Sequence, residues 1–152
     1  MSPEIRPITA AETRLLRHRV LRPRQKPNTL IFTGDTHPLA LHAGAFVPDP
    51  AEAERLVGIA SVTPEPCPAA PRAFGWRLRG MATLPDVQRK GFGAALVNAC
   101  LDHIRKHGGT VVWCQGRTSA LPFYRAMGFE PYGEEFNVPL SGPHFLLWRS
   151  LS

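Results

Sequence analysis

Two glycines in one short turn constrain this chain more than any other feature. The stretch Val87-Gln88-Arg89-Lys90-Gly91-Phe92-Gly93-Ala94-Ala95-Leu96 follows a predicted strand over 76–84 and opens a predicted helix. The first N–H groups of a helix have no partner within it and carry the positive end of its dipole, so such a turn is a ready anion site. No Ser, Thr, Asp or Asn lies between Val87 and Ala95, so no obvious N-cap side chain would take up those donors. Gly91 and Gly93 carry no side chain to hold a phosphate away from the backbone. Around the turn, Arg77, Arg79, Arg89 and Lys90 stand against the single Asp86, and that field also favours a polyanion.

The helix is legible from its periodicity. Leu96, Val97, Cys100, Leu101 and Ile104 share one face, and Asn98, Asp102, Arg105 and Lys106 the other, which is the pattern of a half-buried helix. Lys106 and His107 fall in its last turn and Gly108-Gly109 supply the stop.

Gln88-x-x-Gly91-x-Gly93, placed after a strand and before a helix, resembles the acetyl-CoA pyrophosphate signature of the GNAT superfamily of N-acyltransferases. A dinucleotide fingerprint would need Gly-x-Gly-x-x-Gly, and that spacing is absent. Downstream, Phe123-Tyr124-Arg125-Ala126-Met127-Gly128-Phe129 resembles the family's Phe-Tyr-x-x-x-Gly-Phe segment at the spacing the family shows. The joint match is far more specific than either part.

The remaining elements follow in an order that matches the family across nearly the whole chain. A short edge strand is expected over 5–8. A helix follows, opened by a Thr9–Glu12 capping box, carrying Leu15, Leu16, Arg19 and Val20, and ended by Pro23. Residues 22–38 read as an irregular, proline-punctuated loop that could act as a lid or binding loop. Strands over 39–47 and 55–62 suggest a hairpin about the turn at Pro48-Asp49-Pro50. Gly80 within the strand over 76–84 suggests a bulge or a close approach by another backbone or a ligand. A short apolar strand over 110–114, a helix over 119–127 with Pro122 in its first turn, and strands over 130–137 and 144–149 complete the series. The expected fold is α/β (α+β): a mixed, mostly antiparallel sheet of six to seven strands, with a parallel, splayed central pair and three to four helices. The family's usual second helix is not evident; the proline-rich loop stands in its place, in the region that shapes the acceptor pocket.

Composition bounds the partners. With 152 residues, one N-acetyltransferase domain over 1–152 is expected. Cys67, Cys100 and Cys114 are odd in number and unpatterned, suggesting neither a disulfide framework nor a zinc site, and no metal is expected. The start lacks a signal-like apolar run and no segment approaches the ~18 apolar residues of a membrane span, so a cytoplasmic protein without a membrane partner is expected. The net charge is +6, but the Lys and Arg are scattered, and a small polyanionic ligand explains the local excess better than nucleic acid. A homodimer is compatible with the family.

The resemblance implies transfer of an acetyl group from acetyl-CoA to a primary amine by direct attack. Gln88, Arg89, Lys90, Gly91, Phe92, Gly93 and Ala94 would hold the pyrophosphate, mainly through main-chain N–H groups. Met81, Ala82 and Thr83 would grip the pantetheine arm, with a main-chain N–H near Met81 or Ala82 stabilising the oxyanion. Tyr124 would contact the cofactor and protonate the leaving thiolate: a phenol (pKa about 10) is protonated at neutral pH and can donate to a thiolate whose acid has a pKa of about 8.5. Deprotonating an α-amine at pH 7 costs about 1 kcal/mol, and a lysine amine roughly 4.6 kcal/mol, so a general base matters more for the second. Asp35, His37, His42, Glu130, Glu135 and His144 are the candidates, with His144 the one placed in the catalytic set beside Tyr124. Cys114 could form an acyl intermediate, and Arg117 could hold a phosphate or an acidic substrate. The acceptor could be a small metabolite amine, a peptide N-terminus or a protein lysine. A non-catalytic acyl-CoA sensor and a basic nucleic-acid-binding domain are the rival readings.

Overall fold

The computed structural model describes residues 3–152. Seven strands form one sheet in the order β1-β2-β3-β4-β5-β7-β6. They are β1 Glu4–Pro7, β2 Leu41–Asp49, β3 Ala53–Pro64, β4 Gly75–Thr83, β5 Val111–Arg117, β6 Glu130–Val138 and β7 Gly142–Ser150. Every neighbouring pair is antiparallel except the parallel β4–β5. Three α-helices complete it: α1 Arg14–Leu16, α2 Phe92–Lys106 and α3 Leu121–Ala126. This is the mixed, mostly antiparallel sheet with a central parallel pair that the sequence predicts.

Helix α2 organises the core. Its five predicted inward residues, Leu96, Val97, Cys100, Leu101 and Ile104, are all buried, and the helix packs on β2, β3 and β4. Burying each of the larger side chains stabilises the fold by about 1.5–3 kcal/mol. The glycine stop also forms. Gly108 takes φ +79°, its N–H donates to Arg105 O at 3.1 Å, and the Gly109 N–H donates to Ile104 O at 2.9 Å, which closes the helix as a Schellman motif.

The central pair opens as expected. β4 and β5 pair only at Gly75↔Val111, Trp76↔Val112 and Arg77↔Trp113. Past that point β4 stays paired with β3 through Thr83, while β5 stays paired with β7 through Arg117↔His144. The two halves of the sheet therefore part company and leave a gap. A bulge sits where the strands diverge. Ile59 faces Ala82 while Ser61 faces Arg79, so β4 carries one extra residue, and Gly80 there has φ +60°. A Cβ at Gly80 would lie 3.1 Å from the Phe32 ring and 3.2 Å from Arg17 Nε. The bulge raised by this glycine is realised, and the groups that approach it are the side chains of Phe32 and Arg17 rather than another backbone.

The first helical segment departs from expectation. The capping box forms: the Thr9 N–H donates to Glu12 Oε1 at 2.9 Å, and the Glu12 N–H to Thr9 Oγ1 at 3.2 Å. The winding then runs from 3₁₀ (Ala11–Thr13) through α1 to a π-wound turn (Arg17–Leu21). The buried face becomes Thr13, Leu16 and Arg17, while Leu15 is 70% exposed. The widening turn rotates Arg17 inward, while Leu15 and Arg19 face solvent. Strand β2 also runs two residues further than its predicted end. β1 pairs with it only as far as Phe46, which leaves a flank open where Pro48, lacking an N–H, is tolerated.

Candidate active site

The gap between β4 and β5 is the floor of a cleft of about 490 Å³. Its walls are residues 77–83 of β4 and 114–117 of β5, Tyr124 of α3, Ser141 and His144 around the start of β7, and residues 20–22 with Phe32 from the N-terminal region. Of the residues predicted to bind the cofactor, Met81, Ala82, Thr83, Gln88 and Tyr124 line this cleft directly.

At one end of the cleft lies the glycine turn. Gly91 is the N-cap of α2 and takes φ +84°, and no side chain caps the helix. The first helix bond runs from the Ala95 N–H to Gly91 O at 3.1 Å; among the described residues, no protein acceptor meets the N–H groups of Arg89, Lys90, Gly91, Phe92, Gly93 or Ala94. The Gln88 side chain donates to Thr83 O at 3.1 Å, pinning the turn to the end of β4. Arg89, Lys90 and Gly91 are exposed. Phe92 is buried in the core, so only its backbone can face a ligand. The two glycines act differently. A methyl at Gly91 would meet nothing, so its need is conformational; one at Gly93 would come 2.9 Å from Met81 Cε, so its need is close packing against β4.

Tyr124 stands where the strands part. Its hydroxyl faces Met81 Sδ at 3.9 Å and lies beside the Cys114 thiol; burial, then the neighbouring thiol, pushes its pKa above the ordinary phenol value. A cysteine and a thioether are weak partners, so the hydroxyl remains a protonated, available donor. Cys114 itself is 2% exposed, and burial pushes its thiol up to about 12. Among the described residues no histidine bonds to it: both ring nitrogens of His42 and Nδ1 of His144 meet other groups, and Nε2 of His144 makes no hydrogen bond to the thiol. It is a packed thiol rather than an activated nucleophile.

Of the six candidate bases, the structure brings only His144 to the cleft. It is buried, with Nδ1 2.8 Å from Gly142 O, which makes Nδ1 the protonated nitrogen and leaves Nε2 as an acceptor. Asp35 is held by Arg17 through Nη1–Oδ2 at 2.6 Å and Nη2–Oδ1 at 3.0 Å, and accepts the Phe32 N–H at 2.9 Å. His42 lies between Ser61 Oγ at 2.7 Å and Asp35 O at 2.9 Å. His37 accepts the Leu39 N–H in an exposed turn. Glu135 accepts from Thr118 and Glu130 faces Arg125, both at the surface. No Asp or Glu lines the cleft.

Sequence reasoning missed Arg17. It is fully buried, bonds Leu30 O, Asp35 and Ser61 Oγ, and stacks on Phe32 at 4.0 Å. It fastens the loop over 22–40, which contains only a 3₁₀ turn (Pro27–Thr29), onto β3 and the bulge of β4. An arginine at helical spacing between Thr13, Leu16 and Val20 was the signal, but it reads equally as a solvated side chain. Among the described residues no cluster of His, Cys, Asp or Glu could hold a metal ion, and no helix is long and apolar enough to cross a membrane.

The sequence matches the model of the acetyltransferase (GNAT) family over residues 13–129. It is 30% identical over 148 residues to the uncharacterized N-acetyltransferase YitI of Bacillus subtilis (strain 168), covering 97% of this chain and 96% of that one. Over 55 residues it is 36% identical to the [ribosomal protein bS18]-alanine N-acetyltransferase of Escherichia coli (strain K12), covering 34% of this chain and 37% of that enzyme. Among solved structures, the fold superposes on a chain of the NatC complex bound to Gag peptide and CoA with a TM-score of 0.80, at 15% identity and complete coverage of both chains.

Proposed function

The chain belongs to the acetyltransferase (GNAT) family and is an acetyl-CoA-dependent N-acetyltransferase; from that premise we propose that its acceptor is a small primary amine, which attacks the thioester directly between β4 and β5. The observation that carries this reading is the opening of the sheet past Arg77↔Trp113, beside a helix whose first N–H groups have no protein acceptor.

The pyrophosphate would rest on the N–H groups of 89–94, with Arg89 and Lys90 adding charge. The arm would then lie along the free edge of β4, main chain against main chain, with Met81, Ala82 and Thr83 alongside. A main-chain N–H freed at the Gly80 bulge, near Met81 or Ala82, would meet the carbonyl oxygen as it gains charge. Nε2 of His144 takes a proton from the acceptor ammonium, directly or through one water. The amine nitrogen bonds to the carbonyl carbon, the C–S bond breaks, the Tyr124 hydroxyl protonates the departing thiolate, and the remaining extra proton on the new amide nitrogen returns, directly or through water, to the Tyr124 oxygen. With Cys114 protonated and unpaired, no acyl-enzyme step is needed.

A peptide N-terminus is the second reading, favoured by the similarity to the bS18-alanine enzyme over 55 residues. The test is release of CoA thiol from acetyl-CoA in a panel of small amines and short peptides. Turnover of small amines supports the proposal. Turnover of peptides alone replaces it with the second reading, and binding of acetyl-CoA without thiol release from any member would make the protein a sensor.

A further inference from the structure

The cleft is strongly unbalanced in charge. Arg22, Arg77, Arg79 and Arg117 line it together with His144, and no carboxylate does. Arg77 is answered from outside by Glu65 at 3.2 Å. For the other three no carboxylate lies within ion-pair distance among the described residues. Among the described residues the Arg22 guanidinium donates only to Leu21 O, at 3.1 Å. Arg117 donates Nε to Ser141 Oγ at 3.3 Å and keeps its outer nitrogens free. Arg79 lies over the Phe32 ring at 4.8 Å without a hydrogen-bond acceptor. All three are half-buried. Burial, and then the charge of Arg117, lowers the Arg22 pKa; burial, and then Arg77, does the same for Arg79. A guanidinium keeps its charge in a protein, so an anion bound among these half-buried groups would offset the cost of grouping them.

The position of the cluster says which reactant brings that anion. Trp76 and Leu78 of β4 belong to the core packed beneath α2, so the alternation of the strand sends Arg77 and Arg79 to the opposite face. That face is covered by Phe32 and the loop over 22–40, not by the helix that starts at the glycine turn. His144 and Arg117 are register partners across β5 and β7, which brings a cation beside the proposed base.

We propose that the acceptor amine carries an anionic group, a carboxylate or a phosphate, held by Arg22, Arg79 and Arg117 while its nitrogen is turned toward His144. This rests on the acetyl-transfer reading above. It gives the cleft a length rule as well as a charge rule: the anion and the amine must be separated far enough to reach the arginines and the thioester at once.

The test compares matched acceptors by CoA-thiol release: 4-aminobutyrate against 4-aminobutanamide, and O-phosphoethanolamine against ethanolamine. At least one anionic member should exceed its neutral counterpart about ten-fold or more in kcat/KM, and the pair that does so identifies carboxylate or phosphate. Arg117→Gln and Arg22→Gln should each raise KM for that acceptor several-fold while leaving KM for acetyl-CoA within two-fold, and Arg117→Lys should recover part of the loss. Equal kcat/KM within both pairs would overturn the inference and leave acetyl transfer standing. A rise in KM for acetyl-CoA instead would also overturn it, since the arginines would then hold the cofactor's phosphates. Thiol release from no amine at all, with acetyl-CoA bound, would overturn both readings together.

Discussion

The Tyr124 hydroxyl has two sulfurs for neighbours, and neither competes well for its proton. Tyr124→Phe is therefore expected to lower kcat by about 10²-fold, the scale of a general acid, with KM for acetyl-CoA changed less than two-fold; an unaltered kcat would remove this residue from proton transfer. The Arg17–Asp35 pair makes a different prediction, about stability. Burial alone would raise the Asp35 pKa, but the Arg17 hydrogen bonds, the Phe32 N–H and the charges of Arg17 and His42 outweigh it and hold the carboxyl below its ordinary value. A depressed folded pKa stabilises the fold above the unfolded value, about 3.9, and that contribution is lost as pH falls through the folded value. Asp35→Asn, which strands the buried Arg17, should cost about 3–5 kcal/mol in a neutral urea titration and flatten the loss of stability below about pH 4. An acid limb as steep as that of the wild type would contradict this account. Nothing local in the sequence announces the pair, because its members are 18 positions apart and Ser61 is 44 from Arg17.

Elements with a strong local pattern were the legible ones. Helix α2 has its apolar stripe, its uncapped glycine start and its glycine stop written in consecutive residues, and all three are found. The splay of β4 from β5 was legible only through the family resemblance, since an unpaired strand edge leaves no periodicity of its own. The segment before Pro23 was legible as a helix from its capping box, but its winding changes within three turns, so no fixed period could have announced its buried face. The start of α2 can be tested as an element. The Ala94 N–H makes no helix bond, so Ala94→Pro removes one donor from the first turn, where proline is tolerated. A charge-assisted hydrogen bond is worth roughly 1.5–3 kcal/mol, so affinity for CoA should fall about 10- to 100-fold while the melting temperature moves by only a few degrees. Equal affinity would show that the backbone donors of this turn do not hold the phosphates.

At the scale of the whole molecule, the sheet is two antiparallel blocks, β1-β2-β3-β4 and β5-β7-β6, joined by three parallel pairs and by α2. A ligand lying between the blocks stands in for the missing pairing, so binding and stability are coupled. With CoA at about 100 times its Kd, the native state should gain about 2.7 kcal/mol, which raises Tm by roughly 5–10 °C for a chain of this length; an unmoved Tm at a CoA concentration of this excess would mean that the folded protein does not bind it in preference to the unfolded chain. The order of elements was legible in the sequence, and so was the place of the uncapped glycine turn at the start of α2. The arginine cluster of the cleft was not, because its members come from three separate segments, the loop at Arg22, β4 and β5, that only the folded sheet assembles. The most direct measurement is an NMR titration of the ¹⁵N-labelled protein with CoA, followed at each backbone amide. The account predicts the largest shifts at the amides of Arg89 to Ala94, continuing along Gly80 to Thr83, whereas shifts confined to other surfaces, or none at all, would contradict it.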